Sequence, residues 1–147
     1  MFTGTYIQKL DNKGRVVIPI DYRDMLHDCF FITRSLDGCL SIYEKESWEK
    51  FEEELSKLPY TDERARLLKR FTLGSSVKVE IDKQGRILIP QILREAAKLN
   101  DDIVFVGVSE RIEVWDKESF DKNNNFFDDE DIARKIEGLW KDTGLNV

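Results

Sequence analysis

The chain has 147 residues and a formal net charge of −6. That length suits one ordinary domain, and no apolar run approaches the ~20 residues needed to cross a bilayer. With no signal-peptide profile either, the cytoplasm is the expected location. The charge argues against a nucleic-acid partner only until it is located: residues 44–55 carry −4, residues 116–147 another −4, and the rest +2, so the partner has to be inferred from the local field.

Residues 5–10 alternate well enough for a short strand. Asp11-Asn12-Lys13-Gly14-Arg15 follows with turn chemistry, since Asp11 can accept from backbone amides two residues on and Gly14 supplies positive φ. Residues 16–18 then read as a return strand, with the turn at the tip of a hairpin. Pro19 cannot extend a ladder but suits the first position of a helix, expected over residues 20–26. Residues 30–34 and 40–43 predict a second hairpin through Asp37-Gly38. Trp48, Phe51, Leu55 and Leu58 recur at helical spacing until Pro59. Thr61 is placed to cap a further helix, with Asp62 and Glu63 in its first turn and Leu67, Leu68 and Phe71 available to pack.

The chain then repeats itself. Ile81-Asp82-Lys83-Gln84-Gly85-Arg86-Ile87-Leu88-Ile89-Pro90 restates residues 10–19 at an offset of 71, and the match continues without a gap through Arg23 and Arg94. A helix over residues 91–99 and a hairpin of residues 103–108 with 112–115 complete the second copy. Asn123-Asn124-Asn125 is a break, followed by a tail helix with Ile132, Ile136, Leu139 and Trp140 on one side. Two copies are too few for a solenoid. Units of roughly 70 residues are marginal alone, so the halves are expected to bury surface against each other.

The chemistry concentrates at the repeated turns. Residues 9–15 carry +2 through Lys9, Lys13 and Arg15 against Asp11, and residues 78–86 carry +1 through Lys78, Lys83 and Arg86 against Glu80 and Asp82. Two readings stand at this point: a structural turn in which Asp pairs with its own Arg, or a tip that projects the arginine toward a ligand. An arginine so projected can give two bonds to guanine O6 and N7, while lysines and turn amides hold phosphates.

The doubled Asp-x-x-Gly-Arg followed by an aliphatic strand and Pro, with Met1-Phe2-Thr3-Gly4, residues 64–74, Val106-Gly107 and Val114-Trp115, resembles the MraZ family over about residues 1–120. The resemblance implies an α+β fold: a duplicated AbrB-like swapped-hairpin β-barrel with short flanking helices and a pseudo-two-fold within the chain. Its parts would be a SpoVT/AbrB-like half at 1–58, a helical connector at 59–76, a second half at 77–122 and an acidic tail with a helix at 123–147. It also implies a nucleoid-associated, DNA-binding transcriptional regulator that assembles into rings on short G-rich repeats upstream of the cell division and cell wall operon. The family's motif falls on Lys13, Arg15 and Arg86 as DNA contacts, with Lys83 and Lys9 adding charge, and on Asp11, Gly14, Asp82 and Gly85 as turn residues. Gln84 stands where the first copy has Lys13, and Lys83 precedes that position.

Other sites are weaker. Cys29 and Cys39 lack metal-ligand spacing and read as small buried residues. His27, beside Asp28, has no nucleophile near it in sequence and reads as a helix-end or surface residue. Gly74-Ser75-Ser76 is no nucleophile elbow, and no P-loop or dinucleotide fingerprint occurs, so neither an enzyme nor a cofactor or metal is expected. Asp128-Asp129-Glu130-Asp131 reads as helix-start acids. Arg64, Arg66, Lys69 and Arg70 are expected to pair with Glu49, Glu52, Glu53 and Glu54, with DNA contact as the other reading. Trp48, Trp115 and Trp140 are expected in the core or in subunit contacts. An antitoxin-like or scaffold role, with the acidic tail clasping a basic protein, is the alternative function.

Overall fold

The computed structural model describes residues 1–27 and 29–145, which form two compact units, Met1–Lys117 and a second from Glu118 onward. In chain order the first unit holds β1 (Thr5–Lys9), β2 (Arg15–Val17), α1 (Ile20–Leu26), β3 (Cys29–Arg34), β4 (Leu40–Glu44), α2 (Lys45–Ser56), α3 (Glu63–Thr72), β5 (Val77–Glu80), β6 (Arg86–Leu88), α4 (Gln91–Ala96), β7 (Asp102–Gly107) and β8 (Ile112–Asp116). α5 (Lys117–Asn123) and α6 (Glu130–Thr143) complete the chain. The fold is α+β with antiparallel sheets.

The strands make a six-stranded sheet in the order β1-β7-β8-β4-β3-β5 and a separate two-stranded ribbon, β2-β6. The first strand of each copy thus pairs with the hairpin of the other: β1 lies on β7, with Tyr6 opposite Phe105, and β5 lies on β3, with Val79 opposite Phe30. The ribbon pairs Arg15 with Leu88, Val16 with Ile87 and Val17 with Arg86. On β4 and β8, Leu40 faces Val114, Ser41 faces Glu113 and Ile42 faces Ile112. Both registers map onto themselves when the copies are exchanged, with Val16–Ile87 and Ser41–Glu113 at the centres.

Two expectations are corrected here. β1 and β2 do not form a hairpin, nor do β5 and β6; the chain turns a corner at each Asp-x-x-Gly-Arg and hands β2 to β6. Because the ribbon strands pair with each other, β1 and β5 remain at the edges of the six-stranded sheet, which does not close into a barrel.

One core serves both copies. Val16, Ile18, Ile87 and Ile89 are almost wholly buried, as are Tyr22 of α1 and Leu93 of α4, and all belong to one cluster with Phe30 and Phe105 from the sheet. Ile18 and Ile89 lead into Pro19 and Pro90, which stand at the N-caps of α1 and α4 rather than inside their first turns. α2 sits on the sheet through Trp48, whose ring stacks on Phe31 at 5.1 Å. α3 is capped by Asp62, not Thr61, because the Asp62 carboxylate reaches the Arg64 amide at 2.9 Å. Its C-terminal end is seated by the Arg34 guanidinium, 4.9 Å from the Phe71 ring centre. There Thr72 is buried while Leu67 is exposed and Leu68 and Phe71 are half-buried. Cys39 is buried as expected, and Cys29 is only half-buried.

In the second unit Asp129 caps α6 by accepting from the amides of Asp131 and Ile132 at 3.0 and 3.3 Å, with Glu130 and Asp131 in the first turn. These are the helix-start acids read from the sequence. Ile136, Leu139 and Trp140 remain exposed on it, so Trp140 is not a core residue here. Residues 146 and 147 of the expected tail segment lie outside the described residues, as does Asp28, the neighbour of His27.

Candidate nucleic-acid interface

Each repeated turn is built around its aspartate. Asp11 Oδ1 accepts from the amides of Lys13 and Arg15 at 2.9 and 2.8 Å, while Oδ2 takes Arg15 Nε at 2.9 Å. Asp82 does the same with the amides of Gln84 and Arg86 and with Arg86 Nε, each at 2.9 Å. Gly14 and Gly85 close the turns at φ of 83° and 76°, a left-handed conformation that costs glycine little. The Arg15 amide, then the Arg15 side chain and the Lys13 amide, hold the Asp11 carboxyl below its ordinary range; the equivalent groups of Arg86 and Gln84 do the same for Asp82.

The arginines are therefore paired with their own turn carboxylates, as the first of the two readings required. The turn amides at Lys13, Gln84, Arg15 and Arg86 are also occupied, which removes them as phosphate donors. Neither finding withdraws the guanidinium. The bond to Asp engages Nε and leaves the two Nη groups outside the pair, and the side chains stay 32% and 27% exposed.

What the sequence missed is that the two arginines share a surface. Side chains directly opposite in a ladder point to the same face, and neighbours along a strand point to opposite faces. The register therefore places Arg15, Leu88, Val17 and Arg86 on one face of the ribbon, and Val16 with Ile87 on the other. Burial agrees: Val16 and Ile87 are each 1% exposed, and Leu88 is 54% exposed. Arg15 and Arg86 stand diagonally across the ribbon, roughly 7–8 Å apart at their backbones. The face is a pair of cations steadied by carboxylates, with aliphatic side chains at the opposite diagonal.

The expected lysines are placed less uniformly. Lys13 and Lys83 are exposed in their turns, as is Gln84. Lys9, at the end of β1, is spoken for by Asp102 of β7, Nζ to Oδ1 at 2.6 Å, which follows from their direct pairing in the ladder.

Two further arginines meet the turns. Arg94 of α4, in the second copy, lies over Gly14, so that a Cβ added there would fall inside its guanidinium; Arg23 of α1, in the first copy, lies over Gly85 in the same way. The repeat contained the signal, since its ungapped match ran through Arg23 and Arg94.

Elsewhere the structure gives the remaining charged residues other partners than expected. Arg64 pairs with Asp62 at 2.8 Å, and Arg66 donates to the Tyr60 carbonyl at 2.8 Å. Among the described residues no ion pair joins Arg64, Arg66, Lys69 or Arg70 to Glu49, Glu52, Glu53 or Glu54, so that expected pairing is not found. His27 is exposed at the end of α1. No group of three or more His, Cys, Asp or Glu converges to hold a metal, and no helix is long and apolar enough to cross a membrane, among the described residues.

Comparison with known proteins points the same way. The family model described as "MraZ protein, putative antitoxin-like" matches residues 1–71 and 73–137. A protein named "Transcriptional regulator MraZ" from Thermoanaerobacter sp. (strain X514) is 45% identical over 141 residues, covering 95% of this chain and 99% of that protein. Proteins of the same name from Acetivibrio thermocellus and Lachnoclostridium phytofermentans are 47% identical over 139 residues and 48% over 124, covering 92% and 84% of this chain and 96% and 87% of theirs. These relatives are named as regulators, not enzymes. The chain belongs to the MraZ family.

Proposed function

We propose that this chain is a sequence-specific DNA-binding transcriptional regulator, and that the outward face of the β2-β6 ribbon is its reading surface. A two-stranded β-ribbon is one of the elements a major groove admits. The observation that carries the reading is the register that gathers Arg15 and Arg86 on one face. Their separation of roughly 7–8 Å spans about two base-pair steps of ~3.4 Å. Each guanidinium can then address a guanine, held in orientation by Asp11 or Asp82, while exposed Lys13 and Lys83 meet phosphates. Lys9, neutralised by Asp102, contributes little.

Two arginines on an anionic chain make a weak contact. In this reading the chain works as a homo-oligomer, a ring of subunits on short G-rich repeats at the promoter of the cell division and cell wall operon, where each further contact gains from high effective concentration. The fold behind it is a pair of SpoVT/AbrB-type halves, residues 1–58 and 77–122, joined by a connector at 59–76 and followed by the tail at 123–147, in a cytoplasmic, nucleoid-associated protein. The exchange of β1 and β5 between copies supports the swapped-hairpin description.

The test is Arg15→Ala and Arg86→Ala, singly and together, in a salt-controlled shift assay on promoter DNA. Specific binding should be lost at an unchanged elution volume; unchanged binding would discard the assignment.

A second reading has its own observation. α6 exposes Ile136, Leu139 and Trp140, and Ile136 and Trp140 border, with Phe126, an apolar cleft of about 520 Å³ inside the second unit. An antitoxin-like or scaffold function would use that tail against a basic protein. Deleting the residues from Glu118 onward separates the two, since DNA binding should survive and capture of a partner should not.

A further inference from the structure

The two turns on the ribbon are not independent of each other. Gly14's carbonyl accepts from the Ile89 amide at 2.9 Å, and Ile89's own carbonyl takes Arg94 Nη1 at 2.6 Å. Gly85's carbonyl accepts from the Ile18 amide at 2.9 Å, and Ile18's carbonyl takes Arg23 Nε at 2.8 Å. Each arginine thus binds an Ile-Pro corner of its own copy and covers the glycine that this corner holds in the other copy. Arg23 and Arg94 are both half-buried, so their planar heads are packed rather than free. The contact needs glycine twice over: for the positive φ of the turn, and for the absent Cβ that lets a guanidinium lie on the backbone.

We propose that Arg23 and Arg94 are positioning residues that brace the Asp-x-x-Gly-Arg turns crosswise, Arg94 setting Arg15 and Arg23 setting Arg86. The two cations of the ribbon face are then held as one rigid pair. A flat, forked, always-charged head suits this place; a lysine ammonium, a point donor on a flexible stem, cannot both cover the glycine and hold the carbonyl. The consequence for DNA rests on the reading of the ribbon given above, while the brace itself does not.

Hydrogen exchange of the full-length protein tests it, with peptides covering residues 11–15 and 82–86 read separately. The amides of Lys13, Gly14 and Arg15 are all bonded to Asp11, so they report the turn directly. Arg94→Ala should speed exchange in residues 11–15 by roughly five- to tenfold, the loss of about one hydrogen bond, and leave residues 82–86 unchanged. Arg23→Ala should do the reverse. Arg94→Lys and Arg23→Lys should behave like the alanine variants. Disturbance confined to the variant's own copy, or of neither turn, would overturn the brace.

A shift assay supplies the second readout. Both lysine variants should lose specific binding while the slope of affinity against salt is kept. Retained binding, or a slope lower by about one in the alanine variants only, would identify Arg23 and Arg94 as phosphate contacts instead. If Arg15→Ala and Arg86→Ala leave DNA binding intact while exchange follows the crossed pattern, the DNA reading fails and the brace stands.

Discussion

Ile87→Ala and Leu88→Ala remove the same three carbons from adjacent residues of a three-residue strand, yet they should differ several-fold in cost. Ile87 is 1% exposed against Val16 and the shared core, whereas Leu88 is 54% exposed beside Arg15. At ~0.8 kcal/mol per buried CH₂, the transfer loss at Ile87 is about 2.4 kcal/mol. The cavity left between two packed copies raises that to about 3–4 kcal/mol, inside the usual range for such truncations. Leu88 already keeps half its surface in water, so its truncation should cost about 1 kcal/mol or less. Urea unfolding at neutral pH and fixed protein concentration, followed by the fluorescence of buried Trp48 and Trp115, measures both through the midpoint at constant slope. Equal losses, or a larger loss at Leu88, would refute the register, because a slip of one residue turns every ribbon side chain over. It would also turn Arg15 and Arg86 inward and remove the basis for a reading face.

Three further outcomes are expected. Gly85→Ala should destabilise by about 2–3 kcal/mol, combining a left-handed alanine with overpacking against Arg23, whereas Gly38→Ala, with φ of 85° and nothing within 4 Å of a Cβ, should show only the backbone part, about 1 kcal/mol; paired urea curves compare them. Burial pushes the Cys39 thiol up to about 12, so alkylation of the native protein at pH 8 should leave Cys39 unmodified by mass spectrometry until the chain is unfolded. Folding lowers the carboxyl pKa of Asp11 and Asp82 from 3.8, so their ionised forms favour the folded turns fully above that value and lose the effect as pH falls below it. Acid titration of the urea midpoint should therefore drop more steeply below pH 3.8 for the wild type than for Asp11→Asn/Asp82→Asn.

The sequence displayed local structure well and partnership poorly. The apolar runs of β3, β4, β7 and β8 on either side of their turns, the helical spacing of Trp48 and Leu55, and the Asp and Gly of both repeated turns all act within a few residues, and each is where its pattern placed it. The pairing of β2 with β6 had no such signal. A strand's alternation reports which face is buried, not which neighbour fills its hydrogen-bonding edge, and a tight turn between two short strands looks the same whether they pair with each other or part company. Arg23 and Arg94 were hidden for a related reason: an arginine on a short helix carries no local mark of a glycine far along the chain. The cap of α3 moved by one residue because Thr61 and Asp62 both suit the place, and the side chain that reached the free amide decided it.

The exchanged pairing explains how a chain with net charge −6 can still set two guanidinium groups on one face. Had each copy closed its own hairpin, Arg15 and Arg86 would sit on separate tips, each alone with its own aspartate. Joining β2 to β6 puts both guanidinium groups on one face, while the acidic runs belong to other segments of the chain, residues 44–55 and 116–147. Asp11 and Asp82 then have a use beyond turn formation. Each fixes its arginine through Nε and through the backbone amide, so rotamer freedom that an unpaired arginine would lose on meeting a ligand is already lost in the folded protein. Because that ordering is local to each turn, the two heads still need a common reference. Besides the β2-β6 ladder itself, the Ile-Pro corners and the arginines that cover them touch both copies at that point, so in the proposed reading the rigidity of the face depends on residues that need not touch what is read.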